Sequence, residues 1–176
     1  LRAAFEALEL AVAEGKIHAY GTATWNAYRV PPESREAVSL PEVLRLAEEA
    51  GGKDHHLRAL QFPFNVAMRE ALVARTQPWN GRQVPVLEVA RACGLMVFAS
   101  ASLMQSHLSE GLPAEMQQWF PGLQTDAQRA LQFVRSTPGI TCALVGMSHR
   151  EHVEENLATA AVAPLTLEQF RAALSK

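Results

Sequence analysis

Apolar residues recur along the chain with two alternating periods, one typical of helices and the other of buried strands. In the opening segment 1–14, Leu1, Phe5, Leu8 and Val12 share one helical face. Gly15 follows and suits a helix C-terminal cap. The next segment, 17–24, is largely apolar and predicts a strand. The chain therefore begins with a helix followed closely by a strand.

This order repeats along the rest of the chain. Further strands are predicted at 57–62, 95–100 and 140–145, and helices at 39–50, 66–75 (weakly), 84–93, 125–135, 148–161 and 166–174. Capping boxes are predicted where Ser39 precedes Glu42 and where Ser148 precedes Glu151, and Thr125 or Asp126 caps another helix. The segments 76–83 and 101–123 read as loops, and a loop as long as the second is usually functional.

Strands that are apolar throughout and joined by helices predict an α/β fold with a parallel sheet covered on both faces. Four such units fit either a small doubly wound sheet or half of an eight-stranded barrel. A complete barrel needs about 250 residues, so a length of 176 residues favours the sheet. The first helix lacks both a preceding cap and an initiator Met, which favours a piece of a longer protein.

Composition narrows the class of protein. The chain is 48% hydrophobic and 19% charged with a net charge of -2, which is typical of one globular domain and excludes intrinsic disorder. Lysine occurs only at Lys16, Lys53 and Lys176, so no basic stripe indicates nucleic acid as a partner. No apolar run reaches the roughly 18 residues that a membrane span requires. Cys93 and Cys142 lie in apolar segments, which predicts buried free thiols and a cytoplasmic location.

Four segments, in the same order, resemble strands five to eight of the aldo-keto reductase barrel. They are 15–26 (GKIHAYGTATWN), 60–65 (LQFPFN), 94–103 (GLMVFASASL), and 138–148 with 153–157 (PGITCALVGMS and VEENL). Each motif alone is weak, but together they cover essentially the whole chain.

The resemblance implies the C-terminal half of a (β/α)8 TIM barrel, with four parallel strands and their helices in one domain over 1–176, truncated at the N-terminus. It further implies an NADP(H)-dependent oxidoreductase that acts on aldehydes or ketones. The family's catalytic Asp, Tyr, Lys and His would lie on the missing strands one to four. None of the three lysines follows a predicted strand, so we expect this chain alone to be inactive.

The resemblance implies that Gln61 binds the nicotinamide carboxamide, although loop backbone could equally satisfy such a side chain. Many relatives have Ser-Asn, which also binds the carboxamide, where this chain has Ala23 and Thr24. Thr24 keeps one hydroxyl and Ala23 has no polar group, so the carboxamide contact is either weaker or made by Asn26. Ser100 stands where an aromatic ring usually stacks on the nicotinamide. Trp25 either replaces that ring or packs in the core.

The segment 146–152 (GMSHREH) is the strongest purely physical signal, because glycine permits close approach and the free N–H groups of a helix start attract an anion. Relatives bind the adenosine 2′-phosphate here, often with a basic residue at the position of Gly146 and Arg at that of His152. Arg150 or a protonated His152 is left to replace that charge, so NADP(H) is favoured over NAD(H) by a modest margin. Glu155 and Asn156 match adenine contacts, and the alternative is an ordinary solvated helix face.

The predicted cofactor-binding set collects the residues that follow these strands. It comprises Thr24, Asn26, Gln61, Ser100, Leu103, Gly146, Met147, Ser148, Arg150, His152, Glu155 and Asn156. The predicted partners are a small carbonyl substrate and the missing N-terminal half-barrel.

Two other motifs resemble a nucleophile elbow and a zinc site, but both are incomplete. The run from Gly146 to Arg150 begins like a nucleophile elbow, but Arg occupies the position of the second glycine. His149, His152 and Glu155 share a helical spacing without a defined zinc site. A second function class stays open, in which the half-barrel binds a nucleotide or a partner without catalysis.

Overall fold

The computed structural model describes residues 1–174, so Lys176 lies outside the described residues. Eight α-helices and six strands follow one another in this part of the chain, with a 3-10 turn at Thr159–Ala161. The helices are α1 Arg2–Ala13, α2 Leu40–Gly51, α3 Glu70–Val73, α4 Val86–Ala92, α5 Glu115–Trp119, α6 Asp126–Ser136, α7 Arg150–Ala158 and α8 Leu167–Leu174. The strands are β1 Tyr20–Ala23, β2 Leu57–Pro63, β3 Gln77–Trp79, β4 Arg82–Val84, β5 Met96–Ser100 and β6 Cys142–Ala143.

Four parallel strands form one sheet in the order β1-β2-β5-β6, as the sequence predicts. Alternate positions differ in burial along each strand. In β2, Leu60 and Phe62 are fully buried, whereas Ala59 and Gln61 are only half-buried. In β5, Ala99 is fully buried and Ser100 is half-buried. Because successive side chains point to opposite faces, these stretches of β2 and β5 have one packed face and one more open face.

The described residues divide into two compact units. The first comprises Leu1–Phe62 and Glu70–Val97, and the second comprises Pro63–Arg69 and the chain from Phe98 on. The prediction of a single domain over 1–176 stays a prediction.

In the first unit, α2 packs against α1 and α4. Ser39 caps α2 by accepting a hydrogen bond from the Glu42 N–H, which is half of the predicted capping box; the Glu42 carboxylate pairs with Arg45 instead of returning to the cap. Gly21 brings β1 unusually close to β2, because a Cβ at this position would lie 2.5 Å from the carbonyl oxygen of Ala59. Only glycine fits this contact without a shift of the backbone.

In the second unit, α6 packs against α7 and β6. Thr125 caps α6 in a full capping box with Gln128, which decides between the two predicted caps. The Phe133 ring lies 6.0 Å from that of Phe64 and 5.6 Å from that of Phe170. These rings form the aromatic core of the unit.

Two predicted strands are shorter than expected. β1 begins at Tyr20 instead of residue 17, because the Lys16 N–H still bonds the Ala11 carbonyl and Tyr20 makes the first bond to the β2 side, at the His56 carbonyl. β6 contains only Cys142 and Ala143, which pair with Phe98 and Ala99 of β5.

Several other predictions are wrong. The expected loop at 76–83 contains the hairpin β3–β4, whose turn residues Asn80 and Gly81 both have positive φ, as a tight two-residue hairpin turn requires. Only Glu70–Val73 of the segment 66–75 is helical. The loop 101–123 contains α5. No capping box forms at Ser148, because α7 starts one residue later with His149 at its N-cap and no side-chain cap bond.

The prediction of buried thiols is also wrong. Cys142 is exposed and Cys93 is half-buried, and neither forms a disulfide. Cys142 lies on the edge strand, where a single neighbouring strand leaves much of the residue uncovered. Burial nevertheless raises the pKa of the Cys93 thiol.

Candidate functional site

Thr24 and Gln61 lie side by side at the carboxyl ends of β1 and β2. The Thr24 N–H donates to the Gln61 carbonyl at 2.9 Å, and Ala23 is the register partner of Gln61. The Thr24 hydroxyl oxygen is buried without a hydrogen-bond partner. The Gln61 amide, which is half-buried, takes part in none of the side-chain hydrogen bonds of residues 1–174. Within this part of the chain, the Gln61 side chain is therefore not hydrogen-bonded to loop backbone, so that alternative is wrong.

Such a pair suits a ligand that both donates and accepts hydrogen bonds. Leaving a buried polar group unsatisfied costs about 1–3 kcal/mol. Threonine supplies one hydroxyl, and glutamine supplies an amide oxygen and an NH2 group. A primary carboxamide could pair with both side chains, and nicotinamide carries one. The residues at this strand end fit the nicotinamide part of the predicted cofactor.

A buried arginine, Arg29, holds the loop after β1 in place. Arg29 donates through Nε and Nη2 to the Trp25 carbonyl and through Nη1 to Glu70 at 2.8 Å. Asn26 is engaged, because its Nδ2 donates to Glu36 Oε2 at 3.0 Å. Trp25 is 59% exposed, so it does not pack in the core as one alternative required.

In the second unit, Asn65 fixes the backbone where β5 ends. Asn65 is fully buried, its Nδ2 donates to the Ala101 carbonyl at 2.9 Å, and its Oδ1 accepts from two backbone N–H groups of its own loop. The Phe64 N–H donates to the Ser100 carbonyl at 3.1 Å. The side chains of Ser100 and Leu103 are half-buried. Asn65 is a positioning residue that sequence reasoning missed, although an Asn that follows a strand is a familiar turn former.

The segment before α7 is open to solvent. Gly146, Met147 and Ser148 are all exposed, and a Cβ on Gly146 would meet nothing within 4 Å. Its φ is not in the positive region either. Glycine is thus not required at this position by packing or by backbone conformation.

The start of α7 carries more negative than positive charge. The Arg150 guanidinium pairs with Glu154 at 2.8 Å, and Glu151 occupies the first turn. His152 is exposed, and its ring lies 5.2 Å from that of His149. The helix N-terminus attracts anions, but the two carboxylates oppose that attraction. The start of α7 is therefore a weaker match for a 2′-phosphate. The pair of Thr24 and Gln61 is a better match for a carboxamide.

Asn156 is not part of an ordinary solvated helix face. Its Oδ1 is buried without a hydrogen-bond partner, and the residue lines a cavity of about 150 Å³ together with Val145, Met147 and Thr159. The Thr159 hydroxyl is also buried and unpaired. Glu155 is half-buried and accepts a hydrogen bond from Gln128 through its backbone carbonyl. The cavity therefore combines apolar walls with unsatisfied polar atoms.

Both tyrosines bind other side chains. The Tyr28 hydroxyl lies 2.7 Å from the Thr22 hydroxyl, and the Tyr20 hydroxyl donates to Glu9 at 2.8 Å. Burial raises the pKa of both phenols, and the hydrogen bond to Glu9 raises that of Tyr20 further. Neither phenol is therefore tuned towards proton donation near neutral pH.

Residues 1–174 contain no group of three His, Cys, Asp or Glu side chains arranged to hold a metal ion. Within the same residues, no helix combines the length and the apolar character that crossing a membrane requires.

No protein-family model matches the chain, and no curated protein matches it. Solved structures do match. An aldo/keto reductase from Klebsiella pneumoniae, in complex with NADP and acetate, is 24% identical with a TM-score of 0.65, and the match covers 96% of this chain and 51% of that one. The thermostable aldo-keto reductase Tm1743, in complex with the inhibitor epalrestat, is 19% identical with a TM-score of 0.62 over 97% and 53%. The holo form of aldo-keto reductase AKR11C1 from Bacillus halodurans is 16% identical with a TM-score of 0.61 over 97% and 54%.

The chain thus spans about half the length of the solved structures that it matches. Almost all of this chain takes part in each match, so the likeness extends over both compact units. The four parallel strands with their helices have the fold of half of an aldo-keto reductase barrel, which confirms the resemblance noted in the sequence.

Proposed function

We propose that the chain is the C-terminal, cofactor-binding part of an NADP(H)-dependent aldo-keto reductase that acts on aldehydes or ketones in the cytoplasm. The observation that carries this proposal is the buried, unsatisfied hydroxyl of Thr24 beside the half-buried Gln61 amide, which bonds no other side chain among residues 1–174, at adjacent strand ends of this fold. NADPH, when bound, supplies a hydride to a carbonyl carbon.

In this proposal the chain's residues bind and orient the cofactor. Thr24 and Gln61 of the first unit hold the carboxamide. Ser100 and Leu103 of the second unit are assigned to the same cofactor. Asn26 supports the loop after β1.

The adenosine part of the cofactor is assigned to the region around the start of α7. Asn156 and Glu155 face the adenine. Arg150 and the N–H groups at the start of α7 bind the 2′-phosphate. The remaining residues assigned to this phosphate-binding end are Gly146, Met147, Ser148 and His152.

Proton transfer is assigned to the other half of such a barrel. Both tyrosines here bind other side chains, Lys16 pairs with Glu14, and Lys53 lies in a loop. The chain by itself should therefore bind the cofactor without reducing a carbonyl. A complementary N-terminal half-barrel and a small carbonyl compound are its proposed partners.

Fluorescence titration of the full chain with NADPH tests the carboxamide assignment. Gln61→Ala should weaken binding by about three- to tenfold, because one or two hydrogen bonds are lost. Gln83→Ala is the matched control, since Gln83 is exposed on β4. Equal affinities of the two variants would remove Gln61 from the site.

The choice between the two dinucleotides has its own test. Glu154→Gln releases Arg150 from its ion pair, so NADPH binding should tighten while NADH binding stays unchanged. Arg150→Ala should weaken NADPH binding alone. If both dinucleotides respond alike to these changes, the phosphate assignment is wrong and NAD(H) becomes the better cofactor.

A non-catalytic module that binds a partner is the second candidate. It is favoured by exposed apolar side chains, since Met96 on β5 is 41% exposed and Leu144, just after β6, is 36% exposed. This candidate predicts stable association of the chain with a second protein and no carbonyl reduction in the resulting complex. Reduction of an aldehyde by any such complex contradicts it.

A further inference from the structure

A groove of about 530 Å³ lies at the amino ends of β2 and β5, wholly within the first unit. Leu57, the first residue of β2, and Leu95, just before β5, belong to its lining. Thr24 and Gln61 lie at the opposite strand ends, so this groove is separate from the proposed cofactor site. Small-molecule sites commonly have volumes of about 300–1,000 Å³.

Two cations of the groove have no carboxylate partner. Lys53 and Arg58 both line the groove, and neither forms an ion pair among residues 1–174. Arg58 makes one hydrogen bond, from Nη1 to the Leu57 carbonyl at 3.0 Å. Arg45 also lines the groove, but Glu42 and Glu49 neutralise it. Glu48 is the one carboxylate among the lining residues, against the two unpaired cations Lys53 and Arg58.

His55 adds a neutral N–H donor to these cations. Its Nδ1 accepts a hydrogen bond from the Leu57 N–H at 3.3 Å, so the neutral ring carries its proton on Nε2. Burial lowers the pKa of His55, and the positive charge of Arg58 lowers it further. Glu9 and Glu48 act in the opposite direction, and His56 adds a small lowering. A neutral donor beside two cations suits a multiply charged anion.

The rest of the lining is apolar. Leu57 is fully buried and Leu95 nearly so, which forms an apolar floor. The half-buried indole of Trp79, at the end of β3, lines the same groove. An aromatic ring stacked or edge-on against such an indole gains about 0.5–1.5 kcal/mol beyond simple burial. The groove therefore offers both a charged end and an aromatic wall.

We propose that this groove binds a phosphomonoester with an aromatic body, in which Lys53, Arg58 and His55 hold the phosphate and Trp79 packs against the ring. A phosphomonoester matches the two unpaired cations because it carries nearly two negative charges at neutral pH. Guanidinium and ammonium groups are the usual protein ligands of phosphate. An aryl phosphate and a nucleoside monophosphate share this chemistry.

The full chain titrated with phenyl phosphate tests the proposal, with AMP, inorganic phosphate and phenol as comparison ligands. Phenyl phosphate should bind more tightly than inorganic phosphate or phenol, because only it engages both ends of the groove. Arg58→Gln should weaken it about tenfold or more. Arg75→Gln is the matched control, because Arg75 is exposed outside the groove and forms no ion pair among the described residues.

Two further measurements locate the ligand. Bound phosphate should raise the pKa of His55 measured by NMR, since it adds negative charge beside the ring. It should also slow alkylation of Cys93, which lines the groove, and leave the exposed Cys142 unaffected. AMP that behaves like phenyl phosphate identifies a nucleotide as a ligand of this groove, whereas weaker AMP binding identifies a smaller aryl phosphate.

Equal binding by the Arg58 and Arg75 variants overturns the proposal. Inorganic phosphate that binds as tightly as phenyl phosphate also overturns it, as does binding without a change at His55 or Cys93. Lys53→Gln provides a second variant if Arg58→Gln alters the circular dichroism of the chain. None of these results depends on NADPH binding, which involves the other strand ends.

Discussion

Replacing Glu9 tests whether a single carboxylate joins α1 to the start of β2. Glu9 accepts hydrogen bonds from the His56 backbone N–H at 2.7 Å and from the Tyr20 hydroxyl at 2.8 Å, and it contacts His56 Nδ1 at 2.8 Å. Its side chain is only 14% exposed. This contact spans 47 positions of the chain, so its loss should affect the tertiary structure more than the helix itself.

The expected cost follows from these bonds. A hydrogen bond to a charged group contributes about 1.5–3 kcal/mol, and bonds that share one carboxylate are not additive. Glu9→Gln keeps the volume and one acceptor oxygen, so it should cost about 1–2 kcal/mol. Glu9→Ala leaves the Tyr20 hydroxyl and the His56 N–H without an acceptor and should cost about 3 kcal/mol.

The pH dependence gives the sharper test. Burial acts to raise the pKa of Glu9, but the hydrogen bonds from His56 and Tyr20 outweigh it and hold the pKa below its ordinary value of 4.5. A carboxylate with a lowered pKa stabilises the fold fully above its ordinary pKa. That stabilisation is lost as the pH falls through the lowered value. The penalty of Glu9→Gln should therefore shrink in acid.

Urea unfolding followed by circular dichroism measures this penalty, at about pH 7 and again at about pH 3. Glu6→Gln is the control, because Glu6 is exposed on the same helix and pairs with Arg2 only. The reasoning is refuted if the Glu9 and Glu6 variants lose the same stability at neutral pH. It is refuted equally if the Glu9→Gln penalty does not change with pH.

Three other changes probe particular contacts. Gln77→Leu should cost about 2–4 kcal/mol in urea unfolding, because Gln77 is 1% exposed and its amide makes four hydrogen bonds; a loss under 1 kcal/mol would contradict this. Gly21→Ala should cost about 2 kcal/mol or more by the same assay, because the new Cβ meets the neighbouring strand's backbone, and unchanged stability would show that β1 can shift freely. Iodoacetamide should label Cys142 rapidly and Cys93 slowly, since burial raises the pKa of Cys93; equal rates measured by mass spectrometry would refute the assigned exposures.

Much of the secondary structure was predictable because its signals are local. Ser39 and Thr125 cap α2 and α6 through groups three residues away, so their sequence spacing was sufficient. Gly15 has a positive φ immediately after α1, as a helix C-terminus favours. The hairpin β3–β4 has an equally local signal in Asn80-Gly81, a dipeptide that favours a two-residue hairpin turn.

The candidate site was predictable only in part. The strand ends that carry Thr24 and Gln61 follow from the apolar runs, but the buried, unpaired state of the Thr24 hydroxyl depends on everything packed around it. The pair between Arg150 and Glu154 is four residues apart on one helix, so the sequence already contained it. Asn65 and Gln77 gained their structural roles only when distant backbone met them.

The sequence by itself determined the four strands of the parallel sheet, most of the helices between them and the alternation of the two, because caps, glycines and apolar periods act over a few residues. Tertiary structure alone decided which side chains are covered. Cys142 sits in an apolar run yet is exposed, because burial depends on what packs against the edge of a sheet. The groove between Lys53 and Trp79 likewise exists only after distant segments come together, and no local pattern contains that information.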